Sequence, residues 1–372
     1  MKEYDYEALR ADSINKGFPR YVYEPIDEPL IKNPAALTIP DYLVAHVEKQ
    51  NAKVKEILES LRSFETFAFF SDAHVRQNSM NACPVLRSIL ENTPVRTVLY
   101  GGDTVSAWVD EETAREDVRY FADAFSFAKP YMTRGNHDVY GKRFGIADRG
   151  VCVSNEEVYD LIFRKDASRV IGEKGKTYYY FDHTDTKTRY VVVDTNDVIT
   201  PVWDADGIWN CEVRVSETQI RWFVDLLLAT PHDYAIIVCG HIPMFAHLPW
   251  HHSSAMLFGD LIEAFNAKRT YSNRERVQTD GFCVEADFTS TFGRVILTLC
   301  GHGHVDCAYC TEDGRVDMEI HCDAYKTNNG GSLFAREYGT VSEIAMDVVI
   351  VDRDTGSIQT VRYGAGESHS FS

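Results

Sequence analysis

The sequence predicts an α/β fold, and two features of its pattern carry that expectation. Apolar runs of strand length alternate with segments of helical periodicity along most of the chain. Five of those runs break into a glycine or a short turn and then into aspartate, asparagine or histidine. In such folds the loops beyond the strand ends gather at one edge of the sheet, where ligands bind.

The elements follow in order. Residues 1–40 are polar and broken by proline ("GFPRYVYEPIDEPLIKNPAALTIP"), so they are expected to wrap a surface without a core of their own. After Pro40, the residues Leu43, Val44, Val47, Val54, Ile57, Leu58 and Leu61 recur at helical spacing. This helix leads into "FAFFSDAHV", whose Phe67, Ala68, Phe69 and Phe70 suit a strand covered on both faces. "VRTVLYGGD" reads as a second strand, "REDVRYFADAF" as a helix and "PYMTRGNHD" as a third strand entering a polar loop. Ser154 with Glu157, and Ser216 with Gln219, have the spacing of capping boxes and open two helices. "KTYYYFDHTDTKTRYVVVDTN" reads as two strands joined by a polar turn. "DYAIIVCGH" and "RVILTLCGHGH" are apolar strands that each end in Gly-His, and "AMLFGDLIEAF" between them is a short helix. "EIAMDVVIVDRDTGSIQTVRYG" is expected to close the fold as a β-hairpin turned at Asp354, Thr355 and Gly356.

At 372 residues the chain can bury a sizeable core, and 44% hydrophobic with 25% charged residues is ordinary for a soluble globular protein. A net charge of −18 argues against non-specific binding to nucleic acid or to an anionic membrane surface. No apolar run approaches the ~20 residues that span a bilayer, and "MKEYDYEALRADS" lacks the apolar core of a signal peptide. Nine cysteines, an odd count, then read as free thiols in a reducing compartment, so the expected location is cytoplasmic. Cys307 and Cys310 form a C-x-x-C without the second pair a zinc ribbon needs, and read as two small buried residues on a strand.

The polar strand ends supply Asp72 and His74, then Asp103, then Asn136 with His137 and Asp138, then His241, then His302 and His304. One such histidine is usually a hydrogen-bonded loop residue; seven ligand-type groups at five strand ends are another matter. Burying that many titratable groups without a cation would be costly. Imidazole, carboxylate and carboxamide together suit zinc, manganese or iron. One tetrahedral ion needs about four ligands, so seven, with one carboxylate shared, fit a pair of divalent ions ~3.5–4 Å apart.

In these blocks the sequence resembles the calcineurin-like metallophosphoesterases. Their five-part pattern stands here as Asp72-Ala73-His74, Gly102-Asp103, Gly135-Asn136-His137-Asp138, Gly240-His241 and Gly301-His302-Gly303-His304. The resemblance implies a four-layer αββα sandwich with a bimetal centre at one edge. It implies that Asp72, His74 and His304 bind one ion, that Asn136, His241 and His302 bind the other, and that Asp103 bridges them. It makes His137 the catalytic imidazole, held by Asp138. Gly303 stands where a hydroxyl residue is common in the family. The expected organisation is an N-terminal extension and helix packed on the core over 1–64, then the metallophosphoesterase domain over 65–372, with a cleft-rim insertion at 246–295 and closing strands at 340–372.

The expected activity is hydrolysis of small phosphate esters, mono- or diester, by two divalent transition-metal ions and a bridging hydroxide. A cyclic-nucleotide phosphodiesterase or a nuclease is the alternative, and a non-catalytic interaction scaffold fits the intact "GNHD" least well. Arg76, Tyr140 and Trp250 lie near the blocks, where packing or surface roles are expected of them; His247, His251 and His252 read as rim or solvent-facing residues, not ligands. Specificity is expected from the rim, whose aromatics include Phe245, Trp250, Phe258 and Phe265, with too few basic residues to track a polyanion. The oligomeric state is not legible in the sequence.

Overall fold

The computed structural model describes residues 29–106, 111–138, 155–163, 168–203, 209–248, 254–325 and 336–372. Helix α1 (Asp41–Glu59) leads into β1 (Phe64–Phe70), α2 (Ala82–Asn92), β2 (Thr97–Tyr100), α3 (Glu111–Ala124) and β3 (Tyr131–Met132). There follow β4 (Tyr179–His183), β5 (Thr188–Val192), the antiparallel pair β6 (Val198–Trp203) and β7 (Trp209–Arg214), α4 (Glu217–Leu228), β8 (Ala235–Cys239) and α5 (Met256–Asn266). The chain ends through β9 (Thr270–Ser272), β10 (Glu285–Asp287), β11 (Arg294–Cys300), β12 (Cys307–Cys310), β13 (Val316–Glu319), β14 (Ala345–Asp352), β15 (Ile358–Gly364) and β16 (Ser370–Phe371).

Two six-stranded sheets result, ordered β16-β15-β14-β1-β2-β3 and β12-β13-β11-β8-β5-β4. Their faces can be read from the period of two along each strand. In β5 and β8, Tyr190, Val192, Ile237 and Cys239 join the core shared with the first sheet, while Val191, Ile236 and Val238 join a second core beneath α4 and α5. Phe67 meets Tyr190 edge-on across the sheets at 5.6 Å, and Phe70, three residues on and so on the opposite face, packs against Phe121 of α3 at 6.1 Å. The layers are therefore α1–α3, first sheet, second sheet, and α4 with α5: a four-layer αββα sandwich.

Strands β1, β2 and β3 run parallel, as do β5, β8, β11 and β13. The C-terminal ends of the two sets meet at one edge, where Gly101 N–H donates to Phe70 O, Gly301 N–H to His241 O and Ala324 N–H to Asp72 O. Closeness there demands glycine: a Cβ on Gly301 would lie 2.1 Å from Asp72 Oδ2, and one on Gly102 (φ 95°) would lie 2.5 Å from Gly135 N.

Most expected elements are present, including the β14–β15 hairpin with its turn at Asp354–Gly356. Three readings change. The Ser216 capping box is half formed: Ser216 Oγ accepts the Gln219 N–H at 3.1 Å, but the Gln219 side chain turns away and clamps the backbone of Asp194 through both its N–H and its carbonyl. Ser154 of the other box lies outside the described residues, and the helix after it is one turn, Asn155–Val158, passing into a wider π turn at Tyr159–Phe163. Cys307 and Cys310 do sit on a strand, β12, but at the sheet edge: the first is half-buried and the second exposed, both as free thiols.

Of the segment read as a cleft rim, α5 lies in the outer layer. Phe258 and Phe265 are fully buried there and Phe245 nearly so, so these rings pack the core and are not available to stack on a substrate. Trp250, Tyr140, His251 and His252 lie outside the described residues. No helix among the described residues is long and apolar enough to cross a membrane.

Candidate metal centre

Three of the five ligand-bearing strand ends at this edge, after β1, β2 and β11, turn through left-handed residues. Ten described non-glycine residues have positive φ, and five of them are Asp72 (55°), His74 (35°), Asp103 (58°), His302 (79°) and His304 (57°). A left-handed conformation strains an ordinary residue by about 1–3 kcal/mol, and such strain gathers where function holds it in place. The turns are tied by backbone bonds, Asp72 N–H to Gly102 O at 2.8 Å and His74 N–H to Asp103 O at 3.1 Å.

The side chains converge as two groups. The ligand atoms of Asp72, His74, Asp103 and His304 all lie within 4.8 Å of one another, and so do those of Asp103, His241 and His302. Asn136 joins the second group, its Oδ1 at 2.9 Å from His241 Nε2 and 2.8 Å from His302 Nδ1. Asp103 belongs to both. All seven residues picked out as ligands thus stand at one edge, in two groups that share Asp103.

The donor set fits divalent cations. His74 and His241 each donate Nδ1–H to a backbone carbonyl, of Val105 at 2.9 Å and Gly101 at 2.8 Å, which leaves Nε2 to face the cluster. Nε2 of His74 and of His304 then lie 3.3 Å apart. Asp103 Oδ2 is buried without a hydrogen-bond donor, with Nε2 of His241 at 3.2 Å, of His137 at 3.8 Å and of His74 at 4.0 Å around it. Lone pairs brought together in this way call for positive charge among them. The electrostatics point the same way: against the effect of burial, His241 and His137 hold the Asp103 carboxyl well below its usual range. Burial likewise opposes a charge on His241, yet the Asp103 and Asp72 carboxylates raise it to about 9, where a cation would take the proton's place. Burial and the nearby His241 push His302 down to about 3, leaving it a neutral donor.

His137 is placed beside this cluster, its ring edge-on to that of His74 at 4.9 Å and more open than the ligand-type residues of the first group. Asp138 does not hold it, which corrects the expectation. The Asp138 carboxylate instead accepts four backbone N–H groups, from Asp103 (3.0 Å), Thr104 (2.8 Å), Val105 (3.0 Å) and Gly135 (2.8 Å). It ties the loop after β2 to the loop after β3 and so fixes the backbone that carries Asp103. Arg76 is likewise committed, with Nε on Asp117 at 2.8 Å and a second nitrogen on Glu116 at 2.7 Å. His247 Nε2 lies 3.0 Å from the buried Asp317 carboxylate, between Phe245 and Tyr309, and belongs to neither group.

Two strand ends of the same edge went unread. After β5, Asp194 pairs with the fully buried Arg134 at 2.7 Å, and Asn196 donates to Arg134 O at 3.2 Å, bracing the residue that precedes Gly135-Asn136. After β13, Asp323 N–H donates to Ser71 O at 2.9 Å, and the Asp323 carboxylate accepts from Asn78 at 2.8 Å. After β5 the signal was present, since "YVVVDTND" is also an apolar run that turns polar; "VDMEIHCDAY" alternates polar and apolar residues and carries no such break.

The model of the family described as calcineurin-like phosphoesterase matches residues 65–306. The chain belongs to that family. Among solved structures, a dimetal phosphatase from Danio rerio is 11% identical, covers 82% of this chain and 98% of its own, and has a TM-score of 0.51. A 5'-nucleotidase from Candida albicans is 13% identical over 79% of this chain and 54% of its own, with a TM-score of 0.39. No curated protein matches the chain. At such identity the Danio rerio structure shows a shared fold. Membership of the calcineurin-like phosphoesterases makes the chain a hydrolase of phosphoric ester bonds, with a cluster of aspartate and histidine side chains that could hold metal.

Proposed function

We propose that this phosphoesterase hydrolyses small-molecule phosphate esters at a centre of two divalent transition-metal ions, manganese, iron or zinc. The observation that carries the reading is the sharing of Asp103 between two groups of buried ligand atoms. Asp72, His74 and His304 would hold one ion, Asn136, His241 and His302 the other, and Asp103 both. Two such ions would neutralise phosphoryl oxygens and lower the pKa of a water so that hydroxide is available near neutral pH.

The chain's own groups then have separate tasks. Asp72 and Asp103 set the charge of the pocket, and the imidazoles of His74 and His241 are locked in orientation by their bonds to Val105 O and Gly101 O. Glycines at 101, 102 and 301 let the loops pack against one another more closely than a Cβ would allow. His137 follows Asn136 directly and faces Asp103 Oδ2 at 3.8 Å, a place from which its Nε2 could pass a proton to the departing alkoxide. Asp138 supports Asp103 through the backbone. The chain's −18 charge disfavours long polyanions, and within the pocket divalent ions outweigh it.

The test is a side-by-side assay of metal-loaded protein on a phosphomonoester, a diester and a cyclic nucleotide, with bound metal counted in the same preparations. Turnover of at least one small ester with two ions bound is the expected result. Two ions bound with no turnover on any of them, or preferred cleavage of long DNA or RNA whose binding weakens steeply with salt, would overturn the small-ester reading.

A further inference from the structure

Glu319 is used by nothing described so far. It ends β13, is wholly buried, and carries one oxygen bonded and one not: Oε1 accepts the Gly303 N–H at 2.6 Å, while Oε2 is buried with no hydrogen-bond partner. Among the described residues no lysine or arginine pairs with it. A buried carboxyl without a countercharge is unfavourable for stability by itself, so its place beside the last ligand loop calls for another account.

That loop is short and doubly constrained. His302 faces Asn136 Oδ1 at 2.8 Å, in the second group, and His304 Nε2 faces Asp72 Oδ1 at 3.2 Å, in the first. Gly303 alone separates them, and both histidines are left-handed, with φ of 79° and 57°. The loop's successive N–H groups point at two carboxyls: that of His302 at both Asp72 oxygens, 3.2 Å each, and that of Gly303 at Glu319. The longer, divided bond to Asp72 constrains little. The Gly303 N–H is shared between Gly301 O, at 3.1 Å within the loop itself, and Glu319, at 2.6 Å; the shorter bond ties the peptide after His302 to β13, and a rotation of that peptide would swing both imidazoles at once.

We infer that Glu319 is a positioning residue for both halves of the centre, holding His302 and His304 at their working separation through the Gly303 N–H. The inference rests on the two-metal reading, and its test keeps the two apart. Metal-free wild type, Glu319→Gln, Glu319→Leu and Glu319→Asp are titrated calorimetrically with Mn²⁺ alone and with Zn²⁺ alone, and each metal-free form is melted. Wild type is expected to take two ions. Glu319→Gln keeps an acceptor for Gly303 and should stay within about three-fold of wild type, whereas Glu319→Leu should lose about 10–100-fold at both sites, the usual range for groups that orient metal ligands. Glu319→Asp keeps the charge but withdraws the acceptor by one methylene; it should fall with Leu, and it serves if the Leu form does not melt cooperatively. A wild type that binds no metal overturns the two-metal reading. A wild type with two ions and unchanged affinities in both Leu and Asp forms, a loss at one site only, or a Gln form as weak as Leu, overturns the role given to Glu319.

Discussion

The two halves of the centre are built from similar parts but differ in charge and enclosure. The first gathers two carboxylates, Asp72 and Asp103, with the imidazoles of His74 and His304, all buried. The second has only the shared Asp103, with His241, the less buried His302 and the neutral carboxamide of Asn136. A carboxylate more, in a drier pocket, favours a divalent ion in the first half; a carboxamide and an edge open to solvent favour exchange in the second. Two ions bound there would divide the labour, one held as part of the fold and the other within reach of incoming substrate.

The substitution that should break this arrangement most thoroughly is Asp103→Asn. It removes the single carboxylate that both groups use, so both ions should be lost together and turnover with them. Elemental analysis after gel filtration measures the count; retention of one ion would show that Asp103 serves one half alone. Weaker perturbations sharpen the difference between the halves. Asp72→Asn should empty the first site and leave the second, and graded chelation of wild type should release the ions in two steps, the second site emptying first. A single-step release would mean that the extra carboxylate has no effect on retention.

His137 and Asp138, neighbours in sequence, should behave differently. His137→Asn is expected to keep both metals and lower turnover by about 10²–10⁴-fold, less on p-nitrophenyl phosphate than on an alkyl phosphate, because a good leaving group hardly needs a proton. Equal losses on the two would assign His137 to phosphate positioning. Asp138→Asn replaces a group that accepts four backbone N–H bonds with one that can accept on a single oxygen. Its effect should therefore appear in metal affinity, through the Asp103 backbone, before it appears in the pH profile of turnover.

These two residues also show where sequence reasoning reached and where it stopped. The seven ligand-type residues were legible because apolar strands, glycines and metal-binding side chains fall within a few residues of each other, a local pattern. The four layers followed from the family resemblance, and the period-2 alternation of "YVVV" and "AIIVC" agrees with two cores. What Asp138 touches was not legible, since adjacency along the chain says nothing about which way a loop carboxylate points. Glu319 was hidden for the same reason: its partner, Gly303, is brought to it by pairing of β11 with β13. Phe245, Phe258 and Phe265 were misjudged because aromatic residues in a long connecting segment look alike whether they line a cleft or fill a second core.

A carboxylate with a countercharge beside one without recurs behind the centre, after β5, and gives the smallest expected effect. Asp194 has Arg134 at 2.7 Å; among the described residues Asp197, nearby, is bonded through its carboxylate to the N–H and hydroxyl of Ser216, the N–H at 2.7 Å. Burial, then the Asp194 charge, pushes the Asp197 carboxyl up to about 7, with the Ser216 bonds opposing. An aspartate in the unfolded chain titrates near 3.9. Between about pH 4 and 7 the unfolded chain is therefore ionised at this position while the folded one keeps its proton. The folded state binds more protons, so stability falls as pH rises through that window and levels off above it. Asp197→Asn imitates the protonated form and should abolish this part of the slope, gaining on wild type by an amount on the order of 1–3 kcal/mol by pH 7.5. Urea unfolding of both proteins at several pH values across about 4.5–7.5 measures it. Parallel stability curves would show that Asp197 ionises in the folded protein as readily as in the unfolded one, and that Arg134 serves both carboxylates.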